Sequence, residues 1–142
     1  MLEDKSKDLS IIYQSKEQQH GFNFPYQVGT NGDDPRQAQC NVHDIEHGDI
    51  LIVGSDGLWD NLYLETIIET IKTCITWDEE SNIGIIEDVD EAAERLANDA
   101  KQYSVQPAYN SPFAAKASIE GRRTFAGGKP DDVAVVVAQV CL

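Results

Sequence analysis

Asp56 and Asp131 are the residues whose type and setting point most directly to chemistry in this sequence. Asp56 follows an apolar run, Ile50-Leu51-Ile52-Val53, that breaks into the small-residue turn Gly54-Ser55-Asp56-Gly57. Asp131 lies at a second junction of this kind, where Gly127-Gly128-Lys129-Pro130-Asp131-Asp132 leads into Val133-Ala134-Val135-Val136-Val137-Ala138. Each junction sets a carboxylate at the end of a buried strand, on backbone stiff enough to aim it. Two such carboxylates are how a sheet protein builds a site for a hard cation, which takes a few oxygen ligands from protein and fills the rest with water. Taken singly, both have plainer readings. Ser-Asp-Gly is ordinary turn chemistry, and an acid before a buried strand is common. The pair is more telling, because neighbouring strands would bring the two carboxylates together.

Other reactive groupings are weaker. His43-Asp44-Ile45-Glu46-His47 fits the H-x-x-E-H pattern of inverted zinc peptidases, which works only on a helix. Here Gly48 follows at once and the flanks read as strand and turn, so histidines on a surface hairpin are the better account. Ser55 and Ser111 lack a G-x-S-x-G elbow and a histidine placed to activate them. Gly127-Gly128 lacks the Walker pattern and precedes a strand, so it is no phosphate loop. Arg122 and Arg123 read as a solvated loop before they read as an anion site, and Trp59 reads as core.

The elements that must position Asp56 and Asp131 follow from hydrophobic period and punctuation. Residues 10–15 and 38–45 read as strands, the latter pairing with the strand over 50–53 through a turn at His47-Gly48-Asp49. Residues 20–27 read as a loop around Pro25, and Thr30-Asn31-Gly32-Asp33-Asp34-Pro35 as a turn. Leu64, Ile67, Ile68, Ile71, Cys74 and Ile75 recur at helical spacing, as do Val89, Ala92, Ala93, Leu96, Ala97 and Ala100. Residues 77–84 between them read as an acidic loop. Ser111-Pro112 opens a third helix that stops near Gly121. Residues 122–130 form a connection, and the strand over 133–140 is apolar almost throughout, which predicts cover on both faces. Strands, then helices, then a returning strand define a layered α+β fold in one domain or part of one.

Composition narrows the class further. With 25 acidic residues against 11 Lys and Arg, the net charge is −14, which argues against a nucleic-acid partner, since phosphate contacts need basic patches. At 41% hydrophobic residues the chain can build a core, yet no apolar run reaches the roughly 18 residues of a membrane span. Residues 1–7 carry neither an apolar signal core nor the traits of a transit peptide. Cys40, Cys74 and Cys141 are widely spaced and odd in number, which predicts buried, reduced thiols and an intracellular setting.

GDILIVGSDGLWDN together with GGKPDDVAVVVA resembles the metal-dependent protein Ser/Thr phosphatases of the type 2C (PPM) family. YQSKEQQHGFNFPYQ and NSPFAAKA resemble one branch of it, which has mitochondrial members, and the likeness runs from about residue 10 to residue 142. The resemblance implies the C-terminal part of a four-layer sandwich, two antiparallel sheets flanked by helices. It implies Asp56 and Asp131 as ligands of Mg²⁺ or Mn²⁺, two ions in the complete site, with a metal-activated water hydrolysing phosphoserine or phosphothreonine in a protein. Asp132 stands at the family's Asn-or-Asp position, Asp60 at a less direct acid position, and Ala134 where Thr is usual.

Half of the family pattern is missing. The bridging acid of a second Asp-Gly pair and a phosphate-binding Arg are not found, and family domains are about twice this long. The isolated chain is therefore expected to be inactive or weak, to bind Mg²⁺ weakly, and to leave sheet edges and apolar faces uncovered. The missing N-terminal half is then a candidate partner beside the phosphoprotein substrate, in the cytoplasm or a mitochondrion. The alternative is a non-catalytic binding module that keeps the phosphatase scaffold.

Overall fold

The computed structural model describes residues 8–122 and 125–142. The chain divides into two compact units, Ser10–Asp44 and the unit formed by Ile45–Leu142 with residues 8–9.

In the larger unit the turn at Gly48 (φ 94°) feeds strand β3, Ile50–Gly54. Its partner is not the segment over 38–45, which forms no strand, but the last strand, β6 (Val135–Gln139). The pairing is antiparallel, from Ile50 opposite Gln139 to Gly54 opposite Val135. This register decides the site, because it sets the exit of β3 beside the entry of β6. The expected hairpin failed for a physical reason. Residues 38–45 alternate only loosely, whereas β6 offers three consecutive valines, Val135 to Val137, to pair with.

Helix α1 (Asp56–Trp59) follows β3 directly, and α2 (Leu64–Lys72) buries Ile67 and Ile71. The apolar stripe continues through Cys74 and Ile75, but the helix stops at Lys72 and Ile75 begins a strand. The β-branched pair Ile75-Thr76 followed by Trp77 favours extended backbone. Strands β4 (Ile75–Trp77) and β5 (Gly84–Ile86) form an antiparallel hairpin around the acidic loop expected over 77–84, of which only the end residues Trp77 and Gly84 lie in strands. Its turn is held by Asp78, whose carboxylate accepts from the Ser81 amide (2.7 Å) and hydroxyl (2.6 Å). Helix α3 (Val89–Ser104) begins at Asp88, which caps the Glu91 N–H at 2.9 Å. It buries Ala92, Leu96 and Ala100 completely and lies against β6, α1 and α2. Helix α4 (Pro112–Ile119) starts where Ser111-Pro112 predicts, and the left-handed Gly121 follows its end.

The predicted cover on both faces of the last strand is not found. Ile50, Ile52, Val135 and Val137 face the core, while Leu51 (60% exposed), Val53 (54%) and Val136 (62%) leave the opposite face bare. Among the described residues no layer lies against that face, as expected of an incomplete sandwich. The thiols also differ from expectation. All three are free, but Cys40 and Cys141 are exposed and only Cys74 is half-buried.

The smaller unit holds a short hairpin, β1 (Gln19–Gly21) with β2 (Phe24–Pro25), where a loop was expected. Residues 10–15 form no strand. His20 stacks on Tyr26 (4.1 Å between ring centres) and its Nε2 lies 2.8 Å from the Asp33 carboxylate. A single 3₁₀ turn covers Pro35–Gln37.

Candidate metal centre

Three hydrogen bonds of Ser55 join the two strand ends. Its amide donates to Ala134 O (2.9 Å), its hydroxyl donates to Asp132 O (3.0 Å), and that same hydroxyl accepts from Ala134 N (3.0 Å). Ser55 is thus a stitch between β3 and β6, consistent with its poor credentials as a nucleophile. Gly57 sits two residues on, inside α1. A Cβ there would collide with the Asp132 carbonyl oxygen, so glycine is needed for close approach rather than for the sharp turn its sequence context suggests.

The following residue pair completes the junction. Asn61 is fully buried, and its side chain donates to Gly57 O (3.0 Å) and Lys129 O (2.8 Å) and accepts from Lys129 N (2.8 Å). Its amide therefore pairs both backbone groups of Lys129. Behind this loop, Gly127 (φ 87°) and Gly128 pass against the end of α3. There Gly128 N donates to Gln106 O (2.9 Å), and a Cβ would collide with Tyr103 O. Ser111, fully buried, caps Ala114 N and donates to Gly127 O at 2.7 Å. The serine and the glycine pair are structural.

Asp56 and Asp131 do come together. Their Oδ2 atoms lie 3.2 Å and 3.4 Å from one atom, the Lys129 ammonium nitrogen, which also lies 2.6 Å from Asp60 Oδ2. The three carboxylates differ in setting. The Asp56 side chain is 67% exposed and that of Asp131 37%, whereas that of Asp60 is only 10% exposed. Burial pushes the Asp60 carboxyl above the ordinary carboxylate range, against the pull of Lys129. Burial also works against the charge of Lys129, but the hydrogen bond to Asp60 and the attraction of Asp60 and Asp56 outweigh it and hold its pKa well above the usual lysine value. The ammonium further sits 4.9 Å from the centre of the Phe113 ring, whose backbone N–H is tied to Asp60 O at 3.1 Å.

Two partly exposed carboxylates drawn to one cationic point are a donor set that fits a hard divalent ion, which takes one or two carboxylates and keeps several waters. Among the described residues no group of three or more His, Cys, Asp or Glu side chains is arranged around a common metal position. The Lys129 ammonium lies between the two carboxylates. Sequence reading missed Lys129 and Asn61. The GGKPDD string placed the lysine near Asp131, but nothing local says that its side chain turns back onto α1.

The other candidates have settings of their own. Neither His43 nor His47 lies in a helix; His43 meets the Tyr13 ring at 3.7 Å, and His47 Nδ1 accepts from Leu142 N at 3.1 Å. Trp59 is half-buried on the core, with Nε1 donating to Gly54 O at 2.9 Å. Arg122 is exposed at the end of α4, and Arg123 and residues 1–7 lie outside the described residues.

The model of the protein phosphatase 2C family matches residues 34–108, just over half of the chain. Probable protein phosphatase 2C 80 of Arabidopsis thaliana is 37% identical over 136 residues, covering 94% of this chain and 31% of that protein. The protein phosphatase PTC7 homolog fig of Drosophila grimshawi is 34% identical over 139 residues, covering 92% of this chain and 43% of that protein. Among solved structures, the photosystem II phosphatase PBCP superposes with a TM-score of 0.77 at 28% identity, over 96% of this chain and 53% of that one. The chain belongs to the protein phosphatase 2C family. It spans well under half the length of these two curated relatives. No described helix is long and apolar enough to cross a membrane.

Proposed function

We propose that this chain supplies the C-terminal part of a metal-dependent protein Ser/Thr phosphatase domain over residues 1–142, with Asp56 and Asp131 as ligands of Mg²⁺ or Mn²⁺. The observation that carries the reading is the antiparallel neighbourhood of β3 and β6, which brings these two exposed carboxylates onto one cationic point. A hard divalent ion bound there would supply an acidified water and charge neutralisation for a phosphoryl group. The chain's own contribution is to fix the two carboxylates. Ser55 locks the strand ends, Gly57 admits the Asp132 carbonyl, and Asn61 anchors the loop that carries Asp131. Substrates are phosphoserine and phosphothreonine in proteins. The remaining ligands and the phosphate-binding Arg come from the part of the domain that relatives have and this sequence lacks. The reading keeps the intracellular setting, cytoplasmic or mitochondrial, that the branch resemblance implies.

A second reading, a non-catalytic module on the phosphatase scaffold, is favoured by one feature: an ammonium already pairs with both candidate ligands. The two are separated by Mn²⁺-dependent hydrolysis of an aryl phosphate and a phosphothreonine peptide. The chain is assayed alone and after refolding with the N-terminal half of a family domain. Activity that appears on adding that half and is lost in Asp56→Asn and Asp131→Asn supports the phosphatase. No activity in the reconstituted protein supports the module.

A further inference from the structure

We propose that Lys129 is a built-in competitor for the divalent cation. Its ammonium draws Asp56 and Asp131 together in the cation-free chain and must leave both when the ion binds. This rests on the reading of Asp56 and Asp131 as cation ligands.

The geometry carries the competition. The Asp56 and Asp131 oxygens that face the ammonium, at 3.2 Å and 3.4 Å, are the oxygens that converge from the two strand ends. A divalent ion bound between them would lie within a few ångströms of Nζ, at the distance where like charges repel strongly. The lysine backbone cannot retreat, since Asn61 holds both its N–H and its C=O at 2.8 Å. Relief must come from the side chain. The structure also provides a place for it to go. Asp60 binds the ammonium at the shortest of the three distances, 2.6 Å, and the Phe113 ring lies 4.9 Å from it. Asp60 is too enclosed to serve as an open ligand but well placed to keep the ammonium once the outer two carboxylates are taken. Lys129 is thus a positioning residue with a cost. It pre-assembles the ligands against their mutual repulsion, and its charge weakens the cation affinity of the finished site.

The test is titration of the whole chain with MnCl₂, followed by calorimetry and by the Mn²⁺ electron paramagnetic resonance signal. Parent, Lys129→Gln, Lys129→Arg, Asp56→Asn and Asp131→Asn are compared. Removing one positive charge at this range should tighten Mn²⁺ binding by about tenfold or more, and the charge-retaining Lys129→Arg should not. Both Asp variants should lose binding. If Lys129→Gln binds no tighter than the parent while the Asp variants lose binding, the competition is wrong and the ligand assignment stands. Binding that survives in Asp56→Asn and Asp131→Asn overturns the ligand assignment itself. Absence of binding in both parent and Lys129→Gln overturns both.

Discussion

Asn61→Ala is the substitution that most directly tests how the junction is held. The side chain is fully buried and makes three hydrogen bonds, of which two end on the Lys129 backbone at 2.8 Å. Alanine removes all three and leaves the Lys129 N–H and C=O in a partly buried place without their Asn61 partner. A typical net hydrogen bond contributes about 1 kcal/mol, and an unpaired buried group costs about 1–3 kcal/mol. The third bond joins Gly57 O, four residues back. A loss of about 2–4 kcal/mol follows. Urea unfolding, monitored by tryptophan fluorescence and far-ultraviolet circular dichroism, measures it, with the slope against urea unchanged if the loss is purely one of native stability. A loss below about 0.5 kcal/mol, the range of ordinary surface substitutions, would refute the claim that Asn61 holds the Lys129 loop to α1.

Asp88→Ala removes the cap on Glu91 N and should cost about 1 kcal/mol in the same urea assay. Gly57→Ala drives a methyl group into the Asp132 carbonyl and should cost about 1–3 kcal/mol or abolish folding, read as a drop in thermal midpoint. The Asp78 carboxyl is held below its ordinary value of 3.8 by the Ser81 hydroxyl and then the Ser81 amide. A lowered folded value means that its stabilising contribution is present above 3.8 and is lost as pH falls through the folded value. Ser81→Ala should therefore raise the Asp78 midpoint in a carboxyl NMR titration, and an unchanged midpoint would reject that origin. Leu51→Glu with Val136→Glu places charge on the bare face of the β3–β6 sheet and should reduce self-association in sedimentation velocity. A parent chain that is monomeric at high concentration would remove the basis for that expectation.

The legible parts of the fold are those whose signal is local. Helix α3 is readable from Asp88 as cap and from Ala92, Leu96 and Ala100 at helical spacing, and α4 from Ser111-Pro112. Strand β3 is readable from an apolar run between Gly48 and Ser55. Where the reading failed, the deciding contact was distant or the pattern served two structures. Ile75 continues the helical stripe of α2 yet pairs with Ile86 in a hairpin. The segment over 38–45 was expected beside β3, and β6, arriving from the far end of the chain, took that place. The α+β class was legible because it depends only on the order of such elements.

For the site, the sequence by itself determined that Asp56 and Asp131 each end up beside a core strand, because strand period and turn chemistry are local properties of backbone and side chain. It also determined the family, through two motifs. Only the tertiary structure decided that the two strands are antiparallel neighbours, and hence that the carboxylates meet. The same holds for the ammonium between them. Lys129 reaches Asp56 across 73 residues and Asp60 across 69. Contacts at such separation depend on strand pairing and on the Asn61 anchor, and no local pattern encodes either.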